Sequence, residues 1–382
     1  MAATGSLLRA LVCRACCAEV GADELRGTCP TCGHTLSAEY DLGRLDGPAW
    51  WNELSHREPT LWKYRELLPV RERSAVVTLG EREGPILELG RDAGGVEVLA
   101  KDDGGLPTGS FKARGMTVAV SRALELGAER LFAPSAGNAG IALAAYAARA
   151  HRPAVVYLPE GVEPRAVESV QRYGATVVRV GATIREAGEE ARRRERGHGF
   201  DLSTLREPYR VEGKKTMAFE IAERLGSAAL PDAIVYPTGG GTGLVGLHKG
   251  FAELRSLGLI DREPRLIAVQ SDGCAPVVRA LREGAAAVAP WTISTTLAPG
   301  LAVPSPFASE RVLEAVRASG GAGVSVPDAS IVAAQRTLAR EHGLAVAVEA
   351  AATWAALPAL EAGGAIRSGE RVLLYLTGRG SG

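Results

Sequence analysis

Strand-like and helix-like segments alternate from residue 96 to residue 376, which predicts an α/β fold with parallel sheets covered by helices on both faces. Three observations carry this expectation. Short β-branched runs recur between stretches of 3.6-residue apolar periodicity. Glycine-rich turns join strand ends to helix starts. Ahead of them, four of the six cysteines form two pairs, Cys13-x2-Cys16 and Cys29-x2-Cys32, which sets a small metal-binding module apart from the α/β body.

The expected strands are 96–101, 131–133, 154–158, 176–180, 233–236, 266–270 and 372–376. The expected helices cover 113–126, 141–149, 216–225, a segment from 244 onward, and 331–341. Trp50, Trp51, Trp62 and Tyr64 mark a connector strapped across the body rather than a free linker. The charged run 186–196 places Glu189 four residues before Arg193 and Glu190 four before Arg194, the pattern of a solvated helix face. It lacks the aromatic residues of a nucleic-acid platform.

A chain of 382 residues suggests two or three domains, and 44 basic against 44 acidic residues leave no global field for nucleic acid or an anionic membrane. No apolar run approaches a membrane span, and the N-terminal apolar pairs around Arg9 are too short for a secretory segment, so the cytoplasm is the expected compartment. In such a reducing compartment Cys-x2-Cys pairs bind metal more often than they form disulfides. Two such knuckles supply the four thiolates of a tetrahedral zinc site, although the 12 residues between them are slightly fewer than usual. A redox dithiol is the alternative. With four protein ligands the zinc is expected to be structural; Cys17 adjoins the first knuckle, and Cys274 is expected in the core.

Lys112, within Gly109-Ser110-Phe111-Lys112-Ala113-Arg114-Gly115, follows a strand and a glycine-rich turn and opens a helix. The helix dipole disfavours positive charge at that end, so the amine releases its proton more easily and suits Schiff-base formation with a carbonyl cofactor. A second motif, Thr238-Gly239-Gly240-Gly241-Thr242-Gly243, links a buried strand to a helix start, where converging N–H groups cradle a phosphate. Gly241, Gly243 and Gly246 match a dinucleotide fingerprint, but no acidic residue stands well placed about 20 positions on, and Ser110 occupies the lysine place of a Walker loop. A single phosphate is the more economical guest. Ser135-Ala136-Gly137-Asn138 also joins a strand to a helix; it is read either as a carboxylate site or as a turn with Asn138 as cap. Tyr375-Leu376-Thr377-Gly378-Arg379-Gly380 ends the last strand, where α/β sheets place ligand contacts.

In that order these motifs resemble the pyridoxal-phosphate enzymes of fold type II, a two-domain α/β architecture similar to tryptophan synthase beta chains and threonine synthases. The threonine synthases are the nearer likeness, through the N-terminal ribbon, the Lys112 segment, Arg210-Val211-Glu212-Gly213-Lys214-Lys215-Thr216, Ser319-Gly320-Gly321 and Thr377-Gly378. The resemblance implies a zinc ribbon over 1–45, a large pyridoxal-phosphate domain over 46–110 and 205–382, and a small α/β domain over 111–204. It implies that Lys112 tethers pyridoxal 5'-phosphate and moves protons, that Asn138 contacts the ring hydroxyl, and that Gly239, Gly240, Gly241, Thr242 and Gly243 hold the phosphate. Thr377 meets the pyridine nitrogen, Ser135 and Gly137 the substrate carboxylate, and Arg210, with Lys214 or Lys215, the substrate phosphate. A surface ion pair of Arg210 with Glu207 or Glu212 is the other reading of that arginine. The implied reaction turns O-phospho-L-homoserine and water into L-threonine and phosphate, in a homodimer. The alternative is a serine or threonine dehydratase or a β-replacement enzyme making a specialised amino acid, because Gly240 and Gly243 stand where the family has asparagines that hold the leaving phosphate.

Overall fold

In chain order the first elements are β1 (Leu8–Cys13), β2 (Glu19–Gly21), β3 (Leu36–Tyr40), α1 (Gly47–Glu53), β4 (Ile86–Arg91), β5 (Glu97–Asp102) and α2 (Lys112–Glu125). There follow β6 (Leu131–Pro134), α3 (Asn138–Arg149), β7 (Ala154–Leu158), α4 (Pro164–Gln171), β8 (Thr176–Arg179), α5 (Ile184–Arg194), β9 (Phe200–Asp201) and α6 (Tyr209–Leu225). The remainder is β10 (Ala233–Pro237), α7 (Thr242–Ser256), β11 (Arg265–Ser271), α8 (Pro276–Arg282), α9 (Ser309–Ala318), β12 (Gly323–Val326), α10 (Asp328–His342), α11 (Val348–Ala355), α12 (Leu357–Ala362) and β13 (Arg371–Leu376). The computed structural model describes residues 5–92, 94–292 and 295–379; Gly380, the last residue of the strand-end motif, lies outside them.

The chain forms two compact units, one from residues up to 82 with 112–214, the other from 83–111 with 215 onward. In the first unit the cysteine-rich module is an antiparallel sheet in the order β2-β1-β3, and a separate parallel sheet runs β8-β7-β6-β9. The second unit is built on one sheet, β12-β11-β10-β13-β5-β4, parallel except for the antiparallel edge pair β4 and β5. Its core is aliphatic, with Val98, Val235, Ile267, Val269, Val372 and Leu374 buried on the sheet. Every expected strand forms, with each end within one residue of the expected position.

The connector packs into the first unit. Trp50 is buried, and its Nε1 donates to Glu66 Oε2 at 2.9 Å; the Glu66 carboxylate also receives the Arg57 guanidinium at 2.8 and 2.9 Å. The charged run forms α5, where Glu190 pairs with both Arg193 and Arg194 on an open face. Cys274 is buried, as a core cysteine should be. Among the described residues no helix is long and apolar enough to cross a membrane.

Three helices begin three residues or more earlier than the sequence suggests, α3 and α10 by three and α6 by seven. α6 starts at Tyr209, not near 216, because the Glu207 carboxylate accepts the N–H groups of Tyr209 (2.7 Å) and Arg210 (3.0 Å) and so caps about two extra turns. Gly213, inside the added turns, is a packing requirement. A Cβ there would stand 1.9 Å from Arg114 O, so α2 and α6 cross with backbones in contact. In an open helix Gly→Ala stabilises by about 1 kcal/mol. Here the sign reverses: Gly213→Ala is expected to lose on the order of 2 kcal/mol through overpacking. Gly161→Ala, whose Cβ meets nothing within 4 Å, should stay within about 0.5 kcal/mol of the parent in the same denaturant titration.

Candidate active site

Lys112 is the first residue of α2 and is half-buried. The crossing with α6 fixes its surroundings in the first unit, since a Cβ on Gly115 would lie 3.0 Å from Arg210 O and 3.2 Å from Arg210 Cβ. Arg210 is buried rather than a surface residue, at 2% exposure; its Nη1 donates to Leu202 O at 2.8 Å and its Nε has no hydrogen-bond partner among the described residues. Arg210 and Lys214 share a helix face at i, i+4. Burial drives the Lys214 amine well below its ordinary range, and the neighbouring Arg210 and Lys112 charges push the same way against Glu207. Lys215 is committed elsewhere, to Glu253 at 2.8 Å.

Ser135, Gly137 and Asn138 lie between β6 and α3. The Ser135 hydroxyl accepts the Gly140 N–H at 3.0 Å. Gly137 occupies the cap position of α3, so Asn138 is its first helical residue, exposed and making no capping bond. Its amide is thereby left to other partners.

In the second unit the glycine loop leaves β10 and enters α7 at Thr242, with Gly241 as the left-handed cap (φ 73°). A Cβ at Gly239 would meet Gly300 O at 2.2 Å, one at Gly241 Val312 Cγ2 at 2.2 Å, and one at Gly243 the Tyr236 hydroxyl at 2.0 Å. The loop therefore presents backbone only, beside the positive end of a 15-residue helix. Thr377 follows β13 and is nearly buried at 6% exposure. Its carbonyl accepts the Phe111 N–H at 2.9 Å, and Gly109 O accepts the Arg379 N–H at 3.1 Å. The 103–111 turn is thus stitched to the strand-end motif, and the next residue along the chain is Lys112.

These residues fit pyridoxal phosphate. Gly239, Gly241 and Gly243 leave no room for a side chain, so at these positions the loop offers only backbone, as close approach of a phosphate requires. The hydroxyls of Thr108 and Ser110, in the turn before Lys112, are buried without a partner among the described residues. Buried polar atoms are seldom left so in a finished site.

The four cysteines converge as expected. Cys13, Cys16, Cys29 and Cys32 place their sulfurs within 4.8 Å of one another, with neighbouring pairs at 3.4 to 3.6 Å. Four thiolates at about 2.3 Å from a tetrahedral ion would be about 3.8 Å apart, so little adjustment is needed. Cys17, exposed and at φ 59°, is not part of the cluster.

Residues 77–378 match the family described as pyridoxal-phosphate dependent enzyme. Threonine synthase of Methanocaldococcus jannaschii is 36% identical over 372 residues, covering 96% of this chain and 91% of that protein. That of Methanosarcina acetivorans is 37% identical with the same coverage. Among solved structures, maize serine racemase superposes with a TM-score of 0.67 at 21% identity, covering 78% of this chain and 88% of the racemase. Threonine deaminase isoform 2 of Solanum lycopersicum superposes with a TM-score of 0.66 at 21% identity, covering 95% of each chain. Identities this low speak to the fold alone. The chain belongs to the pyridoxal-phosphate-dependent enzymes of fold type II and, within them, to the lyases of the threonine synthase family.

Sequence reasoning named Glu207 only as a surface ion-pair partner for Arg210 and passed over the hydroxyls of Thr108 and Ser110. The last two lie inside quoted motifs, but burial is what singles them out. Burial pushes the Glu207 carboxyl up to about 7, against the Arg210 and Lys214 charges and the two N–H groups it accepts. A carboxyl that holds its proton more tightly folded than unfolded contributes stability that is complete below its ordinary 4.5 and is lost as pH rises through about 7. Glu207→Gln keeps the capping oxygen without the titration. Relative to that variant, the parent should lose on the order of 3 kcal/mol between about pH 4.5 and pH 7, measured by denaturant unfolding across the range. Parallel pH profiles for the two proteins would contradict it.

Proposed function

We propose that this protein acts as a threonine synthase, converting O-phospho-L-homoserine and water to L-threonine and phosphate by γ-elimination and β-hydration. The observation that carries the reading is 36% and 37% identity to two threonine synthases over 96% of the chain. Pyridoxal phosphate, when bound, supplies an electron sink for the pair left at Cα as its proton departs. Lys112 Nζ tethers the cofactor and then carries protons, a role suited to an amine at a helix start. Backbone N–H groups of Gly239, Gly240, Gly241, Thr242 and Gly243 hold the cofactor phosphate, and Asn138 its ring hydroxyl. The Thr377 hydroxyl meets the ring nitrogen without protonating it, which tempers the sink and favours elimination over transamination. Ser135 and Gly137 orient the substrate carboxylate. Arg210 takes the substrate phosphate, for which its unpartnered Nε is a free donor.

A second reading is a dehydratase or a β-replacement enzyme acting on serine, threonine or O-phosphoserine. The glycine loop favours it, because Gly239, Gly241 and Gly243 have no room for a side chain that could grip a leaving phosphate. The same proposal takes the four cysteines as a structural zinc site in a ribbon over 1–45, with a small domain over 111–204 and a cofactor domain over 46–110 and 205–382. It takes the protein as a cytoplasmic homodimer.

Product identification by mass spectrometry after offering phosphorylated and unphosphorylated amino acids separates the two readings. O-phosphohomoserine should yield threonine and phosphate, and Arg210→Ala should lower kcat/KM for it by about 100-fold, the loss of a charged, buried contact. Release of 2-oxobutyrate or pyruvate alone would replace the first reading with the second. For the ribbon, Cys29→Ser should lower both bound zinc per chain and the thermal midpoint, while turnover per folded, cofactor-loaded chain stays unchanged. Loss of that turnover would refute a purely structural metal.

A further inference from the structure

In the second unit, buried charged groups with no assigned role meet at the end of β13. Lys101, in β5, is 1% exposed; its Nζ lies 2.8 Å from Glu220 Oε2, 2.8 Å from Gly84 O and 3.4 Å from Asp103 Oδ1. Asp103, with no exposed surface, accepts a 2.5 Å bond at Oδ2 from the Tyr375 hydroxyl, and its backbone N–H donates to Leu376 O at 3.0 Å. One residue is thereby tied, through side chain and backbone, to the two positions immediately before Thr377. The Tyr375 ring packs on Tyr236 with centroids 5.3 Å apart. Tyr236 in turn meets Phe111 edge-on at 6.0 Å, and its hydroxyl fills the space over Gly243.

Burial alone does not explain charges in this place, since well-packed apolar side chains of similar volume would serve stability as well or better. Direction is what polar contacts add. A hydrogen-bonded carboxylate admits one arrangement of its donors, where an apolar contact tolerates rotation and slip. Asp103 is also the first residue of the turn whose last, Phe111, bonds to Thr377 O at 2.9 Å. Thr108 and Gly109 inside that turn adopt left-handed φ of 62° and 72°, a shape that needs both ends held.

We infer that the Glu220–Lys101–Asp103–Tyr375 network is a positioning device for the cofactor. Asp103 and Tyr375 fix the end of β13 and the 103–111 turn, and so the places from which Thr377 and Lys112 act. The inference rests on the reading of Lys112 and Thr377 as cofactor residues.

The test uses the full-length protein loaded with pyridoxal 5'-phosphate, comparing parent, Tyr375→Phe, Asp103→Asn and Lys112→Ala. Tyr375→Phe removes a single oxygen; Asp103→Asn keeps shape and acceptor while removing charge, so one remains informative if the other folds poorly. Both variants should release pyridoxal phosphate about tenfold faster on dilution, the loss of one charge-assisted hydrogen bond. Both should also shift the visible absorption maximum and lower kcat more than they raise KM. A network that only stabilises the fold would lower the thermal midpoint and leave release rate and absorption as in the parent, and that result overturns the inference. Borohydride fixation with peptide mass spectrometry distinguishes the two levels of failure. A parent labelled at Lys112, with both variants indistinguishable from it in release and absorption, defeats the inference alone. A parent that takes no label at Lys112 defeats the functional reading and this inference with it.

Discussion

Within the second unit, a backbone hydrogen bond from the Phe111 N–H to Thr377 O at 2.9 Å ties the end of the 103–111 turn to the residue that follows β13. β13 is flanked by β10 and β5, and its Leu373 to Leu376 are buried, as is Thr377 after it. A strand held on both sides in a parallel sheet is among the least mobile parts of an α/β protein. The bridge of Ser110 to Gly378 and the bond from Arg379 N–H to Gly109 O extend the tie in both directions.

The first unit holds a different constraint. Arg210 and Lys214 are buried on one face of α6 beside the start of α2, and Glu207 is an opposing charge there. Burial weakens all three charges: the arginine and lysine hold protons less tightly and the glutamate more tightly. Groups so perturbed in opposite directions are characteristic of functional sites. An arriving anion would reverse the shift on the cations and supply the acceptor that Arg210 Nε lacks. The helix crossing that makes this possible depends on two glycines, Gly115 and Gly213, at which the backbones touch. At the other end of α2 the fully buried Arg122 donates to Ala22 O and Asp23 Oδ1, both at 2.8 Å, so the cysteine-rich module grips the helix that begins with Lys112.

What was legible in the sequence follows physical lines. Buried parallel strands such as β7 and β10 are apolar throughout, bounded by turn residues, and their limits could be read almost to the residue. β4 could not, because it is an antiparallel edge with a bulge between Glu88 and Gly90 and a mostly half-exposed face. The start of α6 was hidden for another reason. Its cap, Glu207, is a residue whose capping role depends on burial, and Gly213 breaks the pattern for the sake of a partner helix that local sequence does not announce. Among the candidate site residues, Lys112, the glycine loop and the four cysteines lie in local motifs that stand out in the sequence. Glu207, Asp103 and the unpartnered hydroxyls of Thr108 and Ser110 acquire significance only through tertiary burial.

The glycine loop shows that a motif can be recognised for an incomplete reason. Its glycines suit an approaching phosphate, yet Gly239, Gly241 and Gly243 are each also pressed by a neighbour: Gly300 O, Val312 and the Tyr236 hydroxyl. Tyr236 in turn stacks near Tyr375, so the loop, the aromatic pair and the strand end are packed as one block. A side chain at any of the three glycines would have to displace one of those neighbours, which fixes the loop as a source of backbone N–H groups and nothing more. Arg210, by contrast, is buried with its Nε left without a hydrogen-bond partner among the described residues, which supports the proposal that it, rather than the loop, takes a second anion. On the proposed reading, selectivity among leaving groups would reside in α6, and the glycine loop, for all its prominence in the sequence, would serve the cofactor.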